Sequence, residues 1–142
     1  MTNWLLSLAA LLGTLVGGGD EDLECLRLGA LDAVRVLALT TGEPGRLSEV
    51  YVSDDAVAAD RALMADYSER GLALRGGALE RLECRLIQRR EDRVRLEVVD
   101  RLGPTWVMDT DGRRRELPRA AAERRVVTLV ESEGRWRILS AR

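Results

Sequence analysis

Residues 94 to 102 alternate between apolar and charged side chains, a pattern that predicts a β-strand with one buried face. The alternate positions, from Arg93 to Arg101, are mostly arginine and glutamate and are expected to face solvent. One position on the buried face holds a carboxylate where an apolar side chain is expected. The predicted inward set is Val94, Leu96, Val98, Asp100 and Leu102.

Three helices are predicted ahead of this strand. Apolar residues recur at helical spacing over residues 23–41, Pro44 suits the first turn of a short helix, and residues 55–70 form a third helix. Asp20 or Asp22 is the expected N-cap of the first helix. The residues predicted for its buried side are Leu26, Ala30, Ala33, Val34, Leu37 and Ala38.

After Gly77 the period of the pattern changes to two, which predicts strands for the rest of the chain. A half-buried strand is expected to turn Leu82, Cys84 and Leu86 inward. Asp111-Gly112 supplies a hairpin turn, and Ser132 to Gly134 supply another. Every connection is too short for a crossover, so the strands are predicted to be antiparallel. The fold class is therefore α+β.

The composition excludes several kinds of chemistry. The 142 residues contain no histidine, and all 22 basic residues are arginine. There can be no Ser-His or Cys-His pair and no histidine metal ligand, and no phosphate loop, GxSxG motif or calcium-loop spacing occurs. We therefore expect no metal and no cofactor, and any proton chemistry must use Asp, Glu, Tyr or Cys.

Cys25 and Cys84 are far apart in the sequence and belong to no CxxC motif. This spacing excludes a thioredoxin-like site and a zinc cluster. We expect two buried free thiols, and a single disulfide is the alternative if the chain is exported.

Residues 1–19 are predicted to form an apolar segment distinct from a single domain of residues 20–142. The run Trp4–Val16 is shorter than the roughly 20 residues that cross a bilayer and is closer to the core of a signal peptide. As a signal or anchor, it would make the protein extracytoplasmic or membrane-associated in a bacterium, with membrane contact through residues 4–16. The alternative is a helix packed on the domain, or on a second copy, in a cytoplasmic protein.

Three stretches of the sequence resemble the nuclear transport factor 2-like superfamily, which includes SnoaL-like polyketide cyclases and ketosteroid isomerases. They read GEPGRLSEVYVSDDAVAADRALMADYSERGLALRG, VRLEVVDRL and VTLVESEGRWRILSA, and the resemblance spans Leu23 to Arg142. Small actinobacterial members of unassigned function are the most similar. The resemblance implies a cone-shaped α+β domain, in which a curved antiparallel sheet surrounds the helices and can leave a pocket at its open end. It leaves the function open, because the superfamily contains enzymes, binding modules and oligomerisation domains.

Asp100 is the strongest candidate for a catalytic residue. An apolar cavity would favour its protonated form, which could move a proton near neutral pH or donate a hydrogen bond. The alternative is a structural carboxylate that accepts from turn amides near Gly103 or pairs with an arginine. The candidates for lining a pocket for a small apolar ligand, or for filling the core instead, are Tyr51, Tyr67, Trp106 and Met108.

Arginine runs at residues 89–90, 113–115 and 124–125 are interrupted by acidic neighbours, and the net charge is -2, so no nucleic acid partner is expected. The expected function is a non-catalytic module for small-ligand binding or assembly, acting as a homo-oligomer or with a protein partner. The alternative is a cofactor-independent isomerase, cyclase or hydrolase that acts on a small apolar substrate with Asp100 as acid or base.

Overall fold

The computed structural model describes the backbone of residues 2–142 and the side chains of residues 19–142. The chain begins with α1, Thr2–Thr41, a 3-10 helix, Pro44–Glu49, and α2, Asp54–Glu69. The three predicted helices are confirmed. However, α1 already begins at Thr2, so Asp20 and Asp22 lie within the helix and do not cap it. Ser53 caps α2, where its hydroxyl accepts a hydrogen bond from the amide of Ala56 at 3.2 Å.

Seven strands follow and form two antiparallel sheets. Their bounds are β1 Ala73–Gly76, β2 Leu79–Arg89, β3 Arg93–Leu102, β4 Thr105–Met108, β5 Arg114–Glu116, β6 Glu123–Ser132 and β7 Arg135–Ala141. The larger sheet has the order β2-β3-β6-β7, and the smaller has the order β1-β4-β5. The predicted α+β class with antiparallel pairing is confirmed. β1 was not predicted, because four residues are too few to establish a period.

β3 supplies the centre of the hydrophobic core. Val94, Leu96 and Val98 are fully buried, and Asp100 is buried on the same face, whereas the arginines of the other parity are exposed. The predicted alternation is therefore confirmed. The other buried members of this core are Leu28, Val50, Val127, Leu129 and Ile138.

β2 contains two β-bulges, at Leu82 and Ile87, where its register against β3 shifts. Leu82 is 50% exposed and Ile87 is 45% exposed. The prediction that Leu82 faces inward is wrong, because a bulge reverses the parity of the residues on one side of it. Cys84 and Leu86, between the bulges, pack against the core as predicted.

The same bulges turn two arginines toward the inner face of the larger sheet. Arg81 lies opposite Asp100, and Arg89 lies opposite Val94. Residues directly opposite on antiparallel strands point to the same face, and that face is the buried one here. β2 thus exposes two apolar side chains and places two arginines beside the core.

α1 buries a side that is partly acidic and leaves leucines exposed. Glu24, Leu28 and Asp32 are buried. Acidic side chains can be buried here because arginines of β2 pair with them. The predicted face of α1 is therefore largely wrong. Of that set, Leu26, Ala30, Ala33 and Leu37 are exposed, whereas Val34 is partly buried and Ala38 is buried.

A disulfide joins Cys25 of α1 to Cys84 of β2, with the two Cα atoms 6.1 Å apart. The expectation of two free thiols is wrong, and the alternative of one disulfide holds. The packing of α1 beside β2 brings together cysteines that are 59 positions apart. Neither local pattern nor spacing carries a signal for that proximity.

No helix in the part of the chain that the structure describes is long and apolar enough to span a membrane. The prediction of a signal, an anchor or a packed segment at residues 1–19, and that of membrane contact through residues 4–16, rest on side chains outside the described residues.

Candidate functional site

An open cleft of about 840 Å³ lies between α2 and one end of the larger sheet. Parts of α1, β3, β6 and β7 complete its walls. Six of the ionisable groups that line it come from five segments of the chain. They are Asp32 and Arg35 of α1, Tyr51 after the 3-10 helix, Asp60 of α2, Asp100 of β3 and Arg125 of β6.

Asp100 is held by two arginines. Its Oδ2 accepts from Nη2 of Arg125 at 2.8 Å and lies 3.4 Å from Nη2 of Arg81. The same Nη2 of Arg81 donates to Oδ2 of Asp32 at 2.5 Å. The result is a chain of alternating charge from Asp32 through Arg81 and Asp100 to Arg125. Asp100 therefore makes the arginine pairing that was the structural alternative for this residue.

Asp60 forms a second group in the cleft. Its two oxygens accept from Nε and Nη2 of Arg35 at 2.7 and 2.9 Å, and Oδ2 also accepts from the hydroxyl of Tyr51 at 2.7 Å. The two bonds from Arg35 fix the orientation of the guanidinium plane relative to the carboxylate. The hydroxyl of Tyr51 is a third donor to the same carboxylate. Asp60 consequently accepts three hydrogen bonds from two side chains.

Burial and neighbouring charges shift the pKa values of this second group. Burial alone would raise the pKa of Asp60, but the hydrogen bonds and charge of Arg35, with the hydroxyl of Tyr51, hold it below its usual range. Burial and the negative charge of Asp60 raise the pKa of Tyr51 well above its usual range. Asp60 is therefore a weak base, and Tyr51 remains a neutral hydrogen-bond donor at physiological pH.

Asp32 differs from Asp60 although both are buried carboxyls in the same cleft. Burial raises the pKa of Asp32, and this effect outweighs the opposing hydrogen bond and charge of Arg81. Across the two groups, three carboxylates face three arginines, so the members of these two groups neutralise one another without a ligand. The three carboxylates are Asp32, Asp60 and Asp100, and the arginines are Arg35, Arg81 and Arg125.

The structure brings together two of the five candidate residues and separates the others. Tyr51 and Asp100 line the cleft. Tyr67 lines a different cavity, of about 480 Å³, between α2 and β1. Trp106 and Met108 lie on β4 in the smaller sheet, where the guanidinium of Arg114 stacks 4.4 Å from the centre of the Trp106 ring.

Several charged residues in or beside the cleft were not identified from the sequence. The spacing of most of them from buried apolar residues nevertheless indicates that they face inward. Asp32 and Arg35 lie four and seven residues after Leu28, on the same face of α1. Arg125 has the parity of the buried residues of β6, and Asp60 follows the buried Val57 by three residues. Arg81 carried no signal, because only the bulge at residue 82 turns it inward.

A separate buried carboxylate, Glu24, lies on α1 outside the cleft. It accepts from Nη1 of Arg27 at 2.8 Å and from Nη2 of Arg89 at 2.6 Å. Arg27 in turn stacks 4.6 Å from the ring centre of Trp136. Within the described residues, no cluster of three or more Cys, Asp or Glu side chains has a geometry that could hold a metal ion.

No family model matches this sequence, and no curated protein matches it. Fifteen chains of solved structures match this one. The intermembrane space region of the chloroplast protein ARC6 superposes with a TM-score of 0.59 at 11% identity, over 86% of this chain and 94% of that chain.

Two bacterial structures superpose less closely. A putative calcium/calmodulin-dependent protein kinase II association domain from Xanthomonas campestris has a TM-score of 0.48 at 16% identity, over 79% of this chain and 80% of that chain. An uncharacterised protein with a cystatin-like fold from Caulobacter vibrioides has a TM-score of 0.45 at 19% identity, over 79% of this chain and 82% of that chain. The likeness to the ARC6 region shows a shared fold alone. The α+β arrangement expected of a nuclear transport factor 2-like domain is present.

Proposed function

We propose that this chain is a non-catalytic module that binds a small polar ligand in the cleft. The observation that carries the proposal is the mutual neutralisation of the ionisable groups there. General acid–base catalysis needs a group that exchanges a proton near the working pH and a positioned partner. Asp60 instead accepts hydrogen bonds from Arg35 and Tyr51, and Asp100 is paired with Arg125.

The charged lining favours a polar or zwitterionic ligand over the apolar ligand expected from the sequence. A charged group of such a ligand could replace one partner of an existing carboxylate–arginine pair. A cleft of about 840 Å³ is within the usual range for small-molecule sites. The alternative of an isomerase, cyclase or hydrolase that uses Asp100 as acid or base has less support, because Oδ2 of Asp100 is already paired with Arg125 and Arg81.

We further propose that the protein works outside the cytoplasm of a bacterium and belongs with the small actinobacterial members of the nuclear transport factor 2-like (SnoaL-like) superfamily. The disulfide between Cys25 and Cys84 supports the location, because such bonds persist in oxidising compartments and are rare in the cytosol. In this proposal, residues 4–16 serve as the exporting or anchoring segment.

The test is native mass spectrometry of the full-length, oxidised chain purified from its own host. We expect an added small mass that is lost on denaturation. Tyr51→Phe removes a hydroxyl from the cleft and should lower occupancy about fivefold, the value of one hydrogen bond. Tyr67→Phe removes the same hydroxyl from the other cavity and is the matched control. Wild-type protein without added mass, or equal occupancy in the two variants, would contradict the proposal.

A further inference from the structure

A disulfide and several polar contacts attach α1 to β2, along a line that we call the seam. The bond between Cys25 and Cys84 is the only disulfide that the chain can form, since it contains two cysteines. Two leucines of this part of α1 add little apolar contact, since Leu23 is 50% and Leu26 is 72% exposed. The polar contacts join Glu21 to the amide of Leu86, Glu24 to Arg89 and Asp32 to Arg81. The seam is therefore a row of polar contacts that contains one covalent bond.

The disulfide can be reached from solvent. Cys25 lines an open cavity of about 400 Å³ beside the seam, and Asp32 and Arg81 line the same cavity. Gly29, one turn after Cys25, keeps the space open, because a Cβ at that position would meet no atom within 4 Å. Thiol–disulfide exchange depends on the access of an attacking sulfur to one sulfur of the pair. The cavity provides such access at Cys25.

Asp32 connects the seam to the cleft. It lies two turns after Cys25 on the same side of α1, and it lines both the seam cavity and the cleft. Its partner Arg81 also lies 3.4 Å from Oδ2 of Asp100 on the wall of the cleft. A displacement of α1 away from β2 would therefore separate Asp32 from Arg81 and remove one carboxylate from that wall.

The pair of Asp32 and Arg81 is a weak restraint on the seam by itself. Burial raises the pKa of Asp32 in spite of Arg81, so the ionised carboxyl is less favourable in the fold than in water. Nε of Arg81 is buried and has no hydrogen-bond partner among the described residues, which adds a desolvation cost to the pair. The disulfide two turns away is therefore the stronger restraint on the position of Asp32.

We propose that the disulfide is a redox switch of the cleft, an inference that rests on the ligand binding proposed above. In the oxidised chain the bond holds Asp32 against Arg81. In the reduced chain α1 separates from β2 along the seam, and Asp32 leaves the wall of the cleft. The bond forms by exchange with a disulfide oxidant, in which the two thiols lose two protons and two electrons and the oxidant becomes a dithiol. The chain thus gains its complete site only in an oxidising compartment, which agrees with the proposed location.

The test compares the full-length, oxidised chain with the same chain reduced by a phosphine. A carbodiimide and glycine ethyl ester label the carboxyls that solvent reaches, and peptide mass spectrometry gives the labelling rate of each residue. The rate of Asp32 should rise at least about fivefold on reduction, because the carboxyl loses its partner and its burial. Asp66 of α2 is exposed in the oxidised chain and is the internal control, whose rate should not change.

The matched control for the reductant is the double variant Cys25→Ser, Cys84→Ser. It should label Asp32 at the faster rate with or without the phosphine, and reoxidation of the wild type should restore the slower rate. Circular dichroism should show that the reduced chain and the variant are folded. An unchanged rate of Asp32 on reduction would overturn the proposal. So would a general loss of secondary structure, because the bond would then stabilise the whole fold and not the seam alone.

Native mass spectrometry of protein from its own host separates the switch from the proposed function. The added small mass of the oxidised chain should be lost on reduction. Retention of that mass alongside faster labelling of Asp32 would overturn the control of binding. An oxidised chain without added mass would contradict the proposed function alone, and the labelling rates would still decide whether the disulfide positions Asp32.

Discussion

The two bulges of β2 each turn an arginine toward a buried carboxylate, but the two resulting clusters have different surroundings. Arg89 meets Glu24, whose side chain is 1% exposed and which also binds Arg27. Arg81 meets Asp32 and Asp100 on the wall of an open cleft. The same backbone irregularity thus contributes to an ion-pair cluster away from the cleft in one place and to the charged lining of the cleft in the other. A position on the wall of the cleft, which Asp32 and Asp100 have and Glu24 does not, distinguishes the two clusters.

The largest expected effect is on stability, and it separates the Glu24 cluster from the cleft. Glu24→Ala removes the acceptor that Arg27 and Arg89 share, and should lower the free energy of unfolding by about 3 kcal/mol. Asp32→Ala leaves Arg81 with Asp100 as a partner and should cost about 1 kcal/mol. Urea unfolding of the oxidised protein measures both values. Equal losses would mean that the two clusters contribute to stability in the same way.

The second prediction compares two carboxyls within the cleft by the pH dependence of stability. The pKa of Asp60 is lowered from 3.8, so its contribution is present above that value and is lost as the pH falls through the lowered pKa. The pKa of Asp32 is raised from 3.8, so its contribution declines as the pH rises from that value through the raised pKa. The two residues therefore act in opposite directions in adjacent pH windows.

Two isosteric variants test these signs. Asp60→Asn should flatten the loss of stability below about pH 4, because the group that becomes protonated there is absent. Asp32→Asn should gain stability relative to the wild type as the pH rises above about 4. Unfolding free energies from urea titrations at several pH values provide the measurement. For each variant, the difference in unfolding free energy from the wild type is plotted against pH. Slopes of the same sign for the two variants would contradict the opposite pKa shifts of Asp60 and Asp32.

The elements of the fold could be predicted from the sequence because each has a local period. Val94, Leu96 and Val98 alternate over enough residues to identify β3 and its buried face, including Asp100. The face of α1 could not be predicted in this way. Glu24 and Asp32 are buried only because arginines far along the chain neutralise them.

The same limit applies to the candidate site. Tyr51 and Asp100 were identified, because a tyrosine and an inward carboxylate are recognisable as single residues. The pairing of Arg81 with Asp100 depends on a bulge, and a bulge has no periodic signature. The disulfide likewise depends on how α1 packs against β2. Contacts between residues far apart in the sequence therefore determine most of the charged pairing in the cleft.

The smallest expected effect tests the bulge at Leu82 directly. Strict alternation along β2 would bury Leu82, Cys84 and Leu86 equally, whereas the bulge leaves Leu82 exposed and Leu86 packed on the core. Leu82→Ser should therefore change the unfolding free energy by no more than about 0.5 kcal/mol. Leu86→Ser should cost about 1 to 2 kcal/mol, since it removes apolar contacts from the core. A large loss of unfolding free energy in Leu82→Ser would mean that Leu82 is buried. Arg81 would then point away from Asp100.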